Sequence, residues 1–350
     1  MDGRRQRADR PFRDEKAVSE VLGVIMLLAM VMTIMAGVIA FPQPYLTDFE
    51  DNVNWKSANG IADRLDDRLA VAGASPEDVG VRTTFAMQST EIQPLDFIET
   101  WKIEADLTPN DAIVIDRVDE SSFTVTMQNG TARSASITTP LGTETHVVGL
   151  ANATEPIEHG VGSEHWSIIT VYDADQQPIH RSVTWVLSGL EVSTELGQGD
   201  HRIAMVNHGR AERFGDDTWD LQQTPLVHLD TLVDGEVRLT MALRDVTTTG
   251  SIGSGRVPLD FVSLGGLTVF SGEVWNLRFT MRNVVDQIVT PQIHDAWLTD
   301  YTLNRAAGTL DQHVGISPWQ RASGMDGFTV DTAGAPLQFE LDVSRIEVRR

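Results

Sequence analysis

The pattern of apolar and polar positions divides the chain into three stretches of different period. From Val21 to Phe41 no charged residue occurs in 21 positions, and only Thr33 interrupts the apolar run. As a helix this stretch is roughly 31 Å long, about the hydrocarbon thickness of a bilayer. A core helix of a soluble domain shows a polar stripe; this one has none, so it predicts a membrane-inserted segment. Pro42-Gln43-Pro44 then breaks the regular helix. Helical period returns from Asp48 to Ala72, with Trp55, Ala58, Ile61, Ala62, Leu65 and Leu69 on one face. Asp63, Arg64, Asp66, Asp67 and Arg68 fall mostly on the other, and Gly73 followed by Ala74-Ser75-Pro76 predicts the stop.

From about Val79 the period changes to two. Residues 83–87, 97–105, 112–118, 122–128, 133–138, 145–149, 166–172 and 181–187 alternate or run β-branched and aromatic. Asp173 to Pro178 is a hairpin-length loop between the last two. Past Gly189, strands are predicted over 201–206, 225–229, 236–242, 267–270, 273–282, 297–303, 327–330 and 337–348. Thr247 to Gly255 reads as an exposed glycine-rich loop, and Val284 to Ile288 and Trp319 to Ala322 as short helical turns. Short strands at this spacing predict a mainly β head of antiparallel, sandwich-like type. One or two β domains are open, with a boundary near Gly189–Gly199 favoured. The expected order is a leader over 1–17, the apolar helix over 18–45, a helical connector over 46–78, and β structure over 79–189 and 190–350.

Charge gives the apolar helix a direction. Arg4, Arg5, Arg7, Arg10, Arg13 and Lys16 precede it, against Asp2, Asp9, Asp14 and Glu15. That basic excess holds the N-terminus in the cytoplasm and sends the rest outside. Arg4-Arg5 is not followed by apolar residues where a twin-arginine signal has them. Val38-Ile39-Ala40 offers an ordinary signal-peptidase site as an alternative fate.

The junction Glu15-Lys16-Ala17-Val18-Ser19-Glu20-Val21-Leu22-Gly23 resembles the class III signal sequence of archaeal type IV pilins. The resemblance covers about residues 14–45. It implies cleavage by a prepilin peptidase on the cytoplasmic side, with Glu15, Lys16 and Ala17 as recognition element and Val18 as first mature residue. It further implies an assembly ATPase, a membrane platform protein and other pilin subunits as partners. Glu20 departs from the pattern, since archaeal members often carry Pro or another uncharged residue there. Two readings are open: Glu20 pairs with the new α-amino group of Val18, or it sits at the headgroup boundary. Gly23 and Gly37, 14 residues apart, fall within about 40° of one helix face and mark it for close helix packing.

Composition adds a lopsided charge: 50 acidic against 27 basic residues, with lysine only at positions 16, 56 and 102. The leader holds six of those basic and four of those acidic residues, so the mature chain would carry −25. Such a surface resembles that of halophile proteins, and it argues against nucleic acid as partner. Cysteine is absent, which removes disulfides, thiolate catalysis and cysteine metal sites.

Candidate chemistry is sparse. Nine histidines are scattered, without the helical His-Glu-x-x-His spacing of a zinc site. Glu158-His159 and Glu164-His165 flank a Gly160-Val161-Gly162 turn, and Asp173-x-Asp175 lacks the glycine and final Glu of a calcium loop. No nucleophile elbow or phosphate-cradling loop is present, so neither an enzyme nor a cofactor is expected. Asn129-Gly130-Thr131 and Asn152-Ala153-Thr154 are glycosylation sequons if the head lies outside. The expectation is a single-pass, pilin-like subunit of a cell-surface filament, of minor, tip or adhesive kind. The alternative is a permanently anchored β-rich binding protein that never polymerises.

Overall fold

The computed structural model describes residues 15–41, 43–109, 113–117, 122–127, 130–148, 157–158, 166–197, 199–217, 219–231, 236–250, 252–283, 315–321, 325–331 and 336–350. The chain forms two compact units, Met1–Val53 and Asn54–Arg350. Helix α1 spans Glu15–Ala40 and α2 spans Gln43–Gly73. The rest is mainly β.

The first nine strands are β1 (Gly80–Asp106), β2 (Ile113–Arg117), β3 (Ser122–Met127), β4 (Ser134–Thr139), β5 (Gly142–Val147), β6 (Ile157–Glu158), β7 (Trp166–Tyr172), β8 (Pro178–Leu196) and β9 (Gly199–Val206). Then follow β10 (Gly209–Phe214), β11 (Asp220–Gln223), β12 (Leu226–Thr231), β13 (Val237–Thr249), β14 (Gly253–Val274), β15 (Asn276–Asn283), β16 (Gly315–Arg321), β17 (Met325–Asp331) and β18 (Leu337–Arg349). The large sheet runs β11-β10-β9-β8-β1-β14-β18-β13-β12, with branches through β15–β17 and β4–β7. Strands β2, β3 and β6 form a small separate sheet. Pairing is antiparallel except for β13 with β18, which is parallel over Arg238–Thr249.

Three long strands organise the β unit, because each serves two cores in turn. Phe85 and Met87 of β1 enter one cluster with Leu190 of β8 and Leu259 of β14. Trp101, Ile103 and Ala105 of β1 enter a second with Val183 and Trp185 of β8 and Phe270 of β14. Between the two, β1 bulges against β8, a step of four residues from Leu95 to Glu99 facing a step of two from Gly189 to Leu187. Phe97 sits there at φ 53°, a strained conformation for an aromatic residue. Its N–H donates to Ser188 Oγ at 3.0 Å, and the Ser188 N–H donates to Asp245 Oδ1 at 2.9 Å. On β8, Gly189 lies at the same level, where a Cβ would collide with the Met205 carbonyl. Strand β8 therefore runs without a break through the candidate boundary near Gly189.

The C-terminal half of α2 packs as its periodicity predicts. Ala58, Ile61, Ala62, Leu65, Leu69 and Ala72 are buried against β1, β8, β9, β14 and β18. Trp55 is an exception, 37% exposed at the edge of that face. The helix ends at Gly73 as expected. A Cβ there would make ordinary contact with Ile346 and Ser344 of β18, at 3.4 Å.

Several sequence expectations need correction. Thr247 to Gly255 is not an open loop: β13 runs to Thr249 in register with β18, β14 starts at Gly253, and Ile252 between them is buried. The glycines there serve a turn, with Gly250 and Gly253 at φ 83° and 72°. Trp319 lies on strand β16, paired with Gly327, not on a helical turn. β10, β11 and the first half of β14 went unpredicted. Val284–Ile288 and the expected strand over 297–303 lie outside the described residues.

Candidate membrane-spanning helix and its neighbour

Helix α1 is 26 residues long, about 39 Å at 1.5 Å per residue. It is long and apolar enough to span a membrane. From Glu20 to Phe41 no described side chain is buried; Val24, Leu27 and Val38 are each 67% exposed. Thr33 Oγ donates to the Ala29 carbonyl at 2.8 Å, so the one polar side chain within the apolar run satisfies its own hydrogen bond. In an apolar surrounding this removes the cost of an unpaired hydroxyl. Gly23 and Gly37 both face open space, with nothing within 4 Å of an added Cβ. Glu20 is exposed and has no hydrogen-bond or ion-pair partner among the described residues. Glu15, Lys16, Ala17 and Val18 lie in the first turns of α1; their side chains are outside the described residues.

The helix closes where the prolines begin: the Phe41 N–H donates to the Gly37 carbonyl at 2.9 Å, and α2 starts at Gln43. The Phe41 ring lies 5.9 Å from that of Tyr45. Tyr45, Leu46, Phe49 and Val53 continue the exposed apolar surface along the first turns of α2. Asn129 and Asn152 lie outside the described residues, so the sequons have no structural context here.

Within the β unit, the polar face of α2 is tied down by ion pairs and hydrogen bonds to strands far away in sequence. Arg244, buried to 3% on its side chain, pairs with Asp66 at 2.7 Å. Arg210 bridges Asp63 at 2.5 Å and Glu212 at 2.8 Å, and also donates to Asn59. Arg64 donates to the Thr84 carbonyl at 3.2 Å with its guanidinium over the Phe85 ring. Ser89 Oγ donates to Asn54 Oδ1 at 2.8 Å. A helix carboxylate and its arginine stand 147 or 178 residues apart, so no local spacing reveals the pairing.

Two titrating groups feel this clamp. A hydrogen bond from His201, aided by Arg210, holds the Glu212 carboxyl below its ordinary value despite burial. His208, in the tight turn between β9 and β10 at φ 61°, is pushed down to about 3 by burial and then by the Arg244 charge. It stays neutral over the whole ordinary pH range.

The other histidines stand in separate places. His180 Nδ1 lies 2.7 Å from Asp106, His201 stacks on Phe214 with ring centres 4.4 Å apart, and His146 lies 3.6 Å from Glu144. No three His, Asp or Glu side chains converge on a metal position among the described residues. His159 and His165 lie outside them. Asp173 is used by its own turn, its Oδ1 accepting from the N–H groups of Asp175 and Gln177 at 2.9 and 2.8 Å. Compared with known proteins, the chain matches no family model, no curated protein and no solved structure.

Proposed function

We propose that this chain is a pilin-like subunit, of minor, tip or adhesive kind, in a type IV pilus-like filament on a haloarchaeal surface. The observation that carries the reading is the junction of two features. The Glu15-Lys16-Ala17-Val18 element resembles a class III cleavage site, and it stands directly at the start of an apolar helix with no buried side chain among those described. Such a helix is satisfied by lipid before assembly and by a bundle of like helices afterwards. Cleavage before Val18 leaves the helix on the mature subunit, as filament assembly needs, whereas cleavage after Ala40 would discard it. In this reading the β unit is a sandwich-like, glycosylated head outside the cell. The prepilin peptidase, assembly ATPase, platform protein and sibling pilins act on the helix.

The test is the leader. Lys16→Glu reverses the charge at the recognition element, so the variant is expected to accumulate as the full-length precursor in membranes, heavier by residues 1–17. Normal maturation of that variant would contradict the reading.

A further inference from the structure

Strands β4 and β7 carry different chemistries on their two faces, and β5 adds threonines to the polar one. Ala135, Ile137, Ile169, Val171 and Ile179 point into an apolar cluster. The residues between them are hydroxyl-bearing: Ser136 and Thr138 on β4, Thr143 and Thr145 on β5, Thr170 and Tyr172 on β7. The register sets them side by side, Ser136 opposite both Thr145 and Thr170, and Thr138 opposite Thr143. Together they line an open groove of about 540 Å³, within the size range of small-molecule sites.

Arg181 of β8, paired with Thr170 in the sheet, enters the same groove. Its Nε donates to Thr170 Oγ and one Nη to the Val269 carbonyl, both at 3.3 Å, and its guanidinium lies 5.4 Å from the Phe270 ring centre. Arg202, Arg210, Arg238 and Arg244 each have a carboxylate within 3 Å. Arg181 has none among the described residues, and no described carboxylate lines the groove. The contrast is sharp in so acidic a chain: a cleft of similar size beside β10 and β11 is lined by Glu212, Asp216, Asp217 and Asp220. Burial pulls the Arg181 guanidinium below its usual range, with Tyr172 acting the other way. A half-buried cation without a protein counter-charge favours an anion from outside.

We propose that this groove binds a sugar carrying an anionic group, a uronate or a sugar sulfate. The guanidinium meets the anion through its free N–H groups. The hydroxyl row, whose members both donate and accept, meets the sugar hydroxyls. A bare oxyanion only accepts, and would leave most of that row without a role. The inference goes beyond the filament reading and holds whether or not the subunit polymerises.

The experiment uses the full chain, purified in molar salt and a detergent without a sugar headgroup. Glucuronate binding is followed by saturation-transfer NMR of the sugar protons, with glucose and sodium sulfate as competitors. Saturable glucuronate binding is expected, with both competitors weaker. One charge-assisted hydrogen bond corresponds to a loss of about 10- to 100-fold, expected for Arg181→Gln. Thr143→Val with Thr145→Val, on the exposed edge strand, leaves the fold intact and is expected to weaken binding severalfold. Absence of saturable binding would overturn the proposal, as would sulfate competing as well as glucuronate, or an unchanged affinity in the Arg181 variant. If Arg181→Gln does not fold, the double threonine variant decides, and an unchanged affinity there overturns it.

Discussion

Helices α1 and α2 follow one another in the chain and obey opposite rules. No described side chain of α1 is buried, and the hydroxyl of Thr33 bonds within the helix itself. From Asn54 onward, α2 buries six apolar side chains and fixes Asn54, Asn59, Asp63, Arg64 and Asp66 to strands far away in sequence. The same element type is thus complete within its own unit in one case. In the other, the described side chains are left exposed, and their apolar surface calls for an apolar environment. A segment whose whole girth is apolar has no inside and outside until lipid or neighbouring helices define them.

The difference can be broken most strongly at matched leucines. Leu65→Ala opens a cavity in the cluster under α2 and is expected to destabilise the β unit by about 2–5 kcal/mol. Leu27→Ala, on the exposed α1, should change it by no more than about 0.5 kcal/mol. Chemical unfolding of each full-length variant in detergent compares them, and equal losses would contradict the contrast.

The clamp on α2 can be sharpened by pH. The unfolded chain binds a proton at His208 below about 6.5, while the folded chain does so only near 3. Between those values the unfolded state holds more protons, so stability falls as pH falls through that window. Melting temperatures of wild type and His208→Asn, a residue that tolerates the left-handed turn, should show a shallower acid slope in the variant. Parallel slopes would remove His208 as the cause. Glu212 acts in the same direction at lower pH, since its depressed folded value makes its contribution disappear on protonation.

The smallest effect on the folded subunit is expected at the two open glycines. Gly23→Leu and Gly37→Leu keep α1 apolar, so membrane levels should match wild type. Filament incorporation should fall, because a leucine side chain fills the close contact between helices. Equal incorporation would favour the permanently anchored alternative.

How much of this was legible depended on the range of the interaction. The buried face of α2 and its end at Gly73 follow from local period and one glycine, and the structure keeps both. Trp55 shares the phase of that face yet lies 37% exposed, because period says where a side chain points and not how far the neighbouring layer extends. Long strands were read in pieces. β14 carries Gly253, Gly255, Gly265, Gly266 and Gly272, which locally signal turns, while its pairing with β1 and β18 overrides them. The partners of Asp63 and Asp66 and the hydroxyl groove are products of registry between distant segments. The strands over 133–138, 145–149, 166–172 and 181–187 are legible one by one, but no local pattern reveals that Arg181 meets the hydroxyl row.

The most direct test of the central claim is the intact mass and N-terminal sequence of the protein recovered from native membranes and from sheared surface filaments. The account predicts a chain that begins at Val18 and retains the whole apolar helix in both fractions. A chain that still carries Glu15-Lys16-Ala17, or one that begins after Ala40, would contradict it.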